Sequence, residues 1–305
     1  MHVLEKLMDR LAGAAVLDRP VDVADRLWRP VVDPLPMRNL LSGTWLGHRL
    51  HPLLMVAPLG SMVSAGLLDV LGGRDSEASA DRLLGVAVLT AAPTTLAGWS
   101  DWTHASPSEK RLGLVHAGAN ITAVLLSAAS LRARKSGHRL TGKALSLLGL
   151  GAVGAGGYIG GHLSYVLGVG VSRTAFAESV DEWTDVVAET ELAEGRPHRE
   201  TVGGVDVLLV RRSVASGDSG GTGASGASAG SGRIDALLDR CNHLGCSLAE
   251  GRLDGDAVEC RCHGSRFRLV DGRALAGPAA SAQPAFDTRV RDGRVEIRSR
   301  LPGFG

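Results

Sequence analysis

The sequence predicts a multi-domain α + β protein in which a four-helix transmembrane bundle precedes an all-β antiparallel sandwich. Residues 53–171 are rich in Leu, Ala, Val and Gly, whereas residues 172–305 are polar and alternate in the manner of strands. The chain has 305 residues, enough for two domains. Its 33 basic and 32 acidic residues nearly balance, so the charge indicates no nucleic-acid partner.

The amino-terminal region, residues 1–42, is polar and charged. Residues 3–17, VLEKLMDRLAGAAVL, space their apolar side chains as an amphipathic, surface-lying helix does. No cleavable signal peptide is apparent before the first apolar segment. We therefore expect a helical region ahead of the membrane domain.

Four apolar segments within residues 43–171 predict the membrane domain. Each is close to the ~20 residues that a helix needs to cross the hydrocarbon core, and charges are nearly absent inside them. Buried helices of a soluble bundle would show one polar face, and these segments show none. The segments are 52–73, 83–99, 112–131 and 144–161.

Four histidines lie toward one side of the membrane if the segments cross it alternately, and the chain termini lie on that side too. Histidines at membrane depth are costly, so a joint role is a hypothesis. Haem b ligation, a metal site and a proton-accepting quinol site are the candidates. Alternatively, each is an interfacial histidine bonded to backbone or water. The four are His51, His104, His116 and His162.

Four stretches of this half carry a family resemblance: GTWLGHRLHPLLMVAPLG (43–60), WSDW (99–102), GLVHAGAN (113–120) and GGYIGGHLSYVLGVGV (156–171). They resemble a bacterial membrane family, domain of unknown function 2231. The resemblance covers residues 43–171. It implies a four-helix membrane module and supplies no known activity.

After a linker at 172–183, residues 184–300 read as the β domain. The Gly/Ser-rich run 213–232 has the composition of a flexible loop. We expect it to be a disordered insertion in a hairpin turn, so that the strands on either side of it still pair. Near the end of the domain, Asp292-Gly293 predicts a second hairpin within residues 286–300.

All four cysteines lie in two short stretches, RCNHLGCS (240–247) and ECRCHGSRF (259–267). Cys241 and His243 are spaced C-x-H, and Cys260 and His263 are spaced C-x-x-H. Two thiolates on one iron and two imidazoles on the other form the ligation of a Rieske [2Fe–2S] centre. The alternatives are structural zinc, which leaves two cysteines without a role, and two plain disulfides, which leave both histidines idle.

CNHLGC and CRCHGSRF look like the cluster loops of the Rieske proteins of quinol-oxidising cytochrome complexes. The resemblance covers roughly residues 184–300 and implies the antiparallel sandwich of those iron–sulfur proteins. It also implies a disulfide between Cys246 and Cys262, the second cysteine of each loop, which braces the two loops. The ligands that it implies are Cys241, His243, Cys260 and His263.

Further residues match positions that tune the cluster in that family. Ser265 matches a serine whose hydroxyl bonds a cluster sulfur, and Phe267 stands where high-potential members have a tyrosine. Hydrogen bonds to sulfur raise the reduction potential, so one bond of the two predicts an intermediate value within ~−150 to +300 mV. Leu244, Gly277 and Pro278 complete the cluster-tuning set, the last two in the stretch GPA that matches the shielding proline loop.

These features predict a membrane-anchored electron carrier rather than a complete enzyme. Its partners would be the lipid bilayer and a quinol or redox protein, which meets His243 and His263 at the exposed tip of the cluster. One alternative is a ferredoxin-like donor to a separate oxygenase or reductase, with the bundle as an anchor only. The other is a zinc-stabilised interaction domain.

Sequence signals conflict about which side of the cell membrane carries the β domain. The distribution of basic residues and the implied disulfide favour the outside. The lack of a twin-arginine signal before the fourth segment and the long amino-terminal region favour the inside. We expect a multi-pass membrane protein with its β domain on the cytoplasmic face.

Overall fold

The computed structural model describes residues 3–213 and 232–300, and the chain divides into two compact units. One unit consists of Met1–Ser42 and Arg49–Gly170, and the other of Gly43–His48 and Val171–Gly305. The first unit is helical and the second is built from antiparallel strands, so the predicted fold class is confirmed.

Eight α-helices lie in the described part of the chain. They are α1 (Val3–Ala12), α2 (Asp18–Val32), α3 (Leu35–Ser42), α4 (Leu50–Leu54), α5 (Val56–Leu71), α6 (Glu77–Trp102), α7 (Pro107–Lys135) and α8 (Arg139–Tyr165). Four stretches are long and apolar enough to cross a membrane, namely Leu50–Leu71, Arg74–Trp102, Pro107–Lys135 and Arg139–Tyr165. The four predicted segments are therefore confirmed as helical. The first begins at Leu50, is divided at Met55 into α4 and α5, and ends at Leu71, two residues before the predicted end. The other three helices extend beyond both ends of their apolar segments.

Polar side chains at the helix ends explain why helices extend beyond the predicted apolar segments. At the start of α7, Ser106 and Glu109 form a capping box, in which the Ser106 N–H donates to the Glu109 carboxylate at 2.7 Å. Pro107 occupies the first helical turn, where its missing N–H costs nothing. Such an end needs no apolar residues, so hydropathy does not detect it.

An ion-pair network joins the four spanning helices at the other end of α7. Arg134 of α7 binds Asp69 of α5 and, at 2.9 Å, Asp81 of α6. Arg139 of α8 reaches the same Asp81 at 2.7 Å. The side chains of Arg134 and Asp69 are each only 1% exposed, so this pair lies inside the bundle.

The amino-terminal helices pack on the bundle. Met8 of α1 is buried in one apolar cluster with Leu112 and Ile159, so α1 lies on α7 and α8. The helix ends at Ala12 instead of continuing to residue 17, because a 3₁₀ turn at Ala15–Leu17 precedes α2.

Ten strands in the described residues form two antiparallel sheets. The strands are β1 (Thr184–Ala188), β2 (Pro197–Val202), β3 (Val205–Arg212), β4 (Arg233–Leu238), β5 (Arg252–Asp254), β6 (Ala257–Glu259), β7 (Arg266–Arg268), β8 (Ala274–Ala276), β9 (Ala285–Arg291) and β10 (Arg294–Ser299). The six-stranded sheet has the order β1-β10-β9-β4-β3-β2, and the four-stranded sheet has the order β5-β6-β7-β8.

Two predicted hairpins can be compared with this topology. The insertion predicted at 213–232 lies outside the described residues except at its two ends. The strands that flank it pair antiparallel, with Arg212 opposite Arg233, as predicted. β9 and β10 form the second predicted hairpin, in which Asp292 and Gly293 both have positive φ, 51° and 74°.

β3 connects the core of the larger sheet to the small sheet. Val207 and Leu209 pack in the cluster that contains Ile297 of β10. On the opposite face, Leu208 and Val210 pack in the cluster that contains Cys241 and Cys260. Both faces of the strand are therefore buried, and one of them supports the cysteine loops.

Candidate metal centre

The two cysteine stretches form neighbouring loops of the β domain. Loop 1, residues 240–247, follows β4, and loop 2, residues 260–265, joins β6 to β7. Cys241 and Cys260 are each 1% exposed and are free thiols. They are in hydrogen-bond contact, which lowers the pKa of Cys260 to about 6 and, together with burial, raises the pKa of Cys241. The contact therefore favours the thiolate of Cys260, and the thiolate is the form that binds a metal.

The two loops repeat one backbone turn. The carbonyl of Cys241 accepts the N–H of Gly245 at 2.8 Å, and the carbonyl of Cys260 accepts the N–H of Gly264 at 2.9 Å. Both glycines have positive φ, 85° and 73°, which side chains disfavour. The repeat is visible in the sequence as C-x-x-x-G in CNHLG and in CRCHG.

His243 and His263 lie next to each other beside this thiol pair. Their ring centroids are 4.9 Å apart, and the ring planes meet at 77°. His263 is partly exposed, whereas His243 is 5% exposed. Of the two rings expected at an exposed tip, the structure thus leaves His263 partly exposed and buries His243.

A disulfide joins Cys246 of loop 1 to Cys262 of loop 2, with the Cα atoms 6.6 Å apart. This confirms the predicted bridge and excludes the alternative of two disulfides, because Cys241 and Cys260 remain free. The sulfurs of Cys246, Cys260 and Cys262 lie within 4.8 Å of one another, but only that of Cys260 is available to a metal. The donors left at the site are two thiols and two imidazoles, which fit a [2Fe–2S] cluster of the Rieske type and also fit zinc.

The segment 277–283, which we call the proline segment, lies against both loops. The buried Ser265 hydroxyl of loop 2 accepts the N–H of Ala279 at 3.0 Å. Gly277 and Pro278 are buried and joined by a cis peptide bond. Phe267 is fully buried below loop 2, and Leu244 of loop 1 is partly exposed.

Asn242 and Gln283 are site residues that the sequence analysis missed. The Gln283 side-chain amide donates to the carbonyls of Leu238 and Arg240, both at 2.7 Å, and accepts the N–H of Asn242 at 3.1 Å. The Asn242 amide in turn donates to the carbonyls of Ser281 and Ala282. Neither position belongs to a recognisable ligand motif, although Asn242 stands between Cys241 and His243.

The four bundle histidines have different surroundings. His51 Nδ1 lies 3.0 Å from the Thr94 carbonyl, and His116 Nδ1 lies 2.8 Å from the Gly156 carbonyl. His104 Nε2 instead contacts Asp33 at 3.1 Å, and the His162 ring has no hydrogen bond within the described residues. Within residues 3–213 and 232–300, no three histidines or carboxylates of the bundle come close enough together to share a metal ion.

The rings of His51 and His116 each pack against a glycine of a neighbouring helix. A Cβ atom at Gly98 would lie 3.1 Å from the His51 ring, and one at Gly160 would lie 2.9 Å from the His116 ring. Each ring therefore rests directly on the backbone of a neighbouring helix. This close approach distinguishes His51 and His116 from the other two histidines.

Comparison with known proteins separates the two halves of the chain. Residues 182–287 match the Rieske [2Fe-2S] domain, and residues 47–173 match a family described as a predicted membrane protein, DUF2231. Ferredoxin CarAc of Metapseudomonas resinovorans is 37% identical over 62 residues, which are 20% of this chain and 58% of that protein. The chain therefore spans less than two thirds of the length of this relative.

A longer match is the ferredoxin component of the naphthalene 1,2-dioxygenase system of Pseudomonas aeruginosa. It is 27% identical over 117 residues, which are 38% of this chain and 95% of that protein. Among solved structures, a complex of reduced oxygenase and oxidized ferredoxin in carbazole 1,9a-dioxygenase matches with 28% identity and a TM-score of 0.31. That match covers 39% of this chain and 96% of the other chain.

Proposed function

We propose that this chain, in which a Rieske [2Fe-2S] domain follows a DUF2231 membrane domain, is a membrane-anchored one-electron carrier. The observation that supports it most is the pairing of two buried free thiols with two adjacent imidazoles, on loops tied by a disulfide. When bound, the [2Fe–2S] cluster supplies one-electron redox chemistry. Its proposed ligands are Cys241, His243, Cys260 and His263.

The residues of the proposed site have different roles. The thiols of Cys241 and Cys260 lie in the apolar core beside Leu208, away from water. His263 is the more exposed of the two imidazoles, so we assign the contact with a redox partner to its side of the site. The disulfide keeps the loops together on the side of Cys246 and Cys262.

The electron donor that we propose is a membrane quinol or a membrane redox protein. The disulfide supports it, because bracing cysteines are typical of the quinol-linked Rieske proteins that the loops resemble. A second candidate is a ferredoxin-like donor to a separate oxygenase or reductase, and the ferredoxin relatives support that role. Stopped-flow mixing of the oxidised protein with a short-chain quinol separates the two, since only the first requires quinol to reduce the cluster directly.

We propose a further role for His51 and His116 in the bundle. Each uses Nδ1 toward a backbone carbonyl, which in His51 leaves Nε2 as the nitrogen for a ligand such as haem b iron or a quinol hydroxyl. In His116 the Nε2 atom lies 3.2 Å from the Asn120 side-chain amide, which such a ligand would have to displace. An oxidised-minus-reduced optical spectrum of the purified full-length protein tests the haem. A sharp b-type band that is lost in His51→Ala and His116→Ala but kept in His104→Ala supports it, and no band at all rejects it.

The cytoplasmic face remains our proposal for the β domain. Protease treatment of inverted and right-side-out vesicles tests it, because cleavage within residues 213–232 then occurs only in inverted vesicles. Cleavage only in right-side-out vesicles would place the domain outside.

The paramagnetic resonance spectrum of the reduced full-length protein tests the central proposal. We expect the anisotropic signal of a one-electron-reduced Rieske centre, together with two iron and two acid-labile sulfide per chain. A silent protein that contains zinc would instead make the site structural, because zinc has no redox chemistry.

A further inference from the structure

We infer that Asn242 and Gln283 are positioning residues, which fix loop 1 against the proline segment and so hold His243 in place beside the cluster. This inference rests on the proposed cluster, because its readout is the reduction potential of that centre. It concerns two residues that are not ligands and that lie 41 positions apart in the chain.

Gln283 forms hydrogen bonds to the backbone on both sides of Cys241, a proposed cluster ligand. Its side chain is 1% exposed and bonds the Arg240 carbonyl at 2.7 Å and the Asn242 N–H at 3.1 Å, the two neighbours of Cys241. A third bond, also 2.7 Å, goes to the Leu238 carbonyl at the end of β4. It is the only glutamine of the chain. A buried amide with three such bonds is costly to replace, because each lost partner stays buried.

Asn242 completes the connection from the other direction. Its side-chain amide donates to the Ser281 carbonyl at 2.9 Å and to the Ala282 carbonyl at 3.0 Å. The residue is 3% exposed and stands directly between Cys241 and His243. Because both its backbone N–H and its side chain are engaged, the peptide that leads into His243 has little freedom to turn.

Loop 1 is therefore held on two sides by different means. The disulfide of Cys246 ties it covalently to loop 2, and the Asn242–Gln283 bonds tie it to the proline segment. The second connection also has an electronic consequence. The Asn242 N–H is committed to Gln283, so it is not available to a cluster sulfur. Releasing it and admitting water would both stabilise the added electron, which raises the reduction potential.

The experiment uses two variants of the full-length protein in detergent, Gln283→Met and Asn242→Ala. Methionine keeps the length of the side chain without its donors or acceptor, and alanine removes only the bonds to Ser281 and Ala282. The matched control is Thr288→Val, which removes a 2.7 Å hydrogen bond to the Ile234 carbonyl at the other end of β4. Each protein is measured by redox titration, by its paramagnetic resonance spectrum and by the rate of iron release to a chelator.

We expect both site variants to change the paramagnetic resonance spectrum and to release iron about tenfold faster or more. Gln283→Met should raise the reduction potential, because it frees the Asn242 N–H and admits water. Asn242→Ala should raise the potential by less, because it admits water while that N–H stays bonded to Gln283. The control should melt at a lower temperature and keep the wild-type potential. If the site variants behave like the control, with reduced stability and an unchanged potential, the residues are only structural and the inference is overturned. If Gln283→Met does not fold, Asn242→Ala decides alone. A wild-type protein without a Rieske signal would instead defeat the proposed function, which is a separate outcome.

Discussion

The hydroxyl of Ser265 accepts the backbone N–H of Ala279 at 3.0 Å, and both residues are buried. A hydroxyl has two lone pairs and one hydrogen. Because Ala279 occupies a lone pair, the hydrogen of Ser265 is left to donate elsewhere, and the resemblance of loop 2 assigns it to a cluster sulfur. The proline segment thus helps to orient the group that is expected to tune the cluster.

Replacing Ser265 with Ala is expected to lower the reduction potential. Loss of one hydrogen bond of about 1 kcal/mol corresponds to roughly 40 mV for a one-electron couple. Redox titration followed by circular dichroism measures it, with Ser265→Thr as the control that retains the hydroxyl. An unchanged potential in Ser265→Ala would show that the hydroxyl does not bond the cluster.

Replacing Phe267 with Tyr is expected to raise the potential. Phe267 is fully buried in the apolar cluster that contains Cys260, so the added hydroxyl would enter the site without access to water. A new hydrogen bond to a ligand sulfur favours the reduced state by an amount similar to that of Ser265, about 1 kcal/mol. The same redox titration measures the shift. A potential that stays unchanged or falls would show that the added hydroxyl does not reach a ligand sulfur.

Removing the disulfide with Cys246→Ser and Cys262→Ser is expected to destabilise the β domain. Closing a loop with this separation of 16 residues is worth about 3 kcal/mol in the chain-entropy account. The urea midpoint at which the visible cluster absorption disappears should fall accordingly, and a reductant that opens the bridge in the wild type should produce the same fall. Equal midpoints in all three samples would contradict the bracing role.

Replacing Arg134 with Met is expected to destabilise the helical unit by about 3–5 kcal/mol, because Asp69 is then a buried charge without its partner. Adding Asp69→Leu should restore most of the loss, since no charge remains buried. Thermal unfolding in detergent, followed by tryptophan fluorescence, compares the three proteins. A double variant as unstable as the single one would show that the network contributes more than this pair.

Covalent and local signals made much of the site predictable. The resemblance of the two cysteine loops to Rieske cluster loops implied the Cys246–Cys262 bridge, and Asp292-Gly293 predicted a hairpin, because both depend on short sequence motifs. Hydropathy likewise identified four membrane segments. The roles of Asn242 and Gln283 could not be predicted from the sequence, because their hydrogen bonds join positions 41 residues apart and leave no periodic pattern.

The helix ends and the bundle histidines were less predictable for a related reason. Arg134 and Arg139 lie outside the predicted apolar segments, yet both belong to helices and form ion pairs with Asp81. The histidines were grouped by the side of the membrane on which they lie, which says nothing of their partners. The structure pairs His104 with Asp33 of the amino-terminal region, a contact that threading alone does not give.

The buried pair of Asp69 and Arg134 also bears on the order in which the helices enter the membrane. The two residues are 65 positions apart, and Asp69 ends the first spanning stretch whereas Arg134 ends the third. During synthesis the first helix therefore carries an unneutralised carboxylate until the third arrives, and burying that charge alone in lipid is costly. We therefore expect Asp69 to stay near water at the membrane surface until the third helix supplies Arg134, so that the first three helices enter the lipid together.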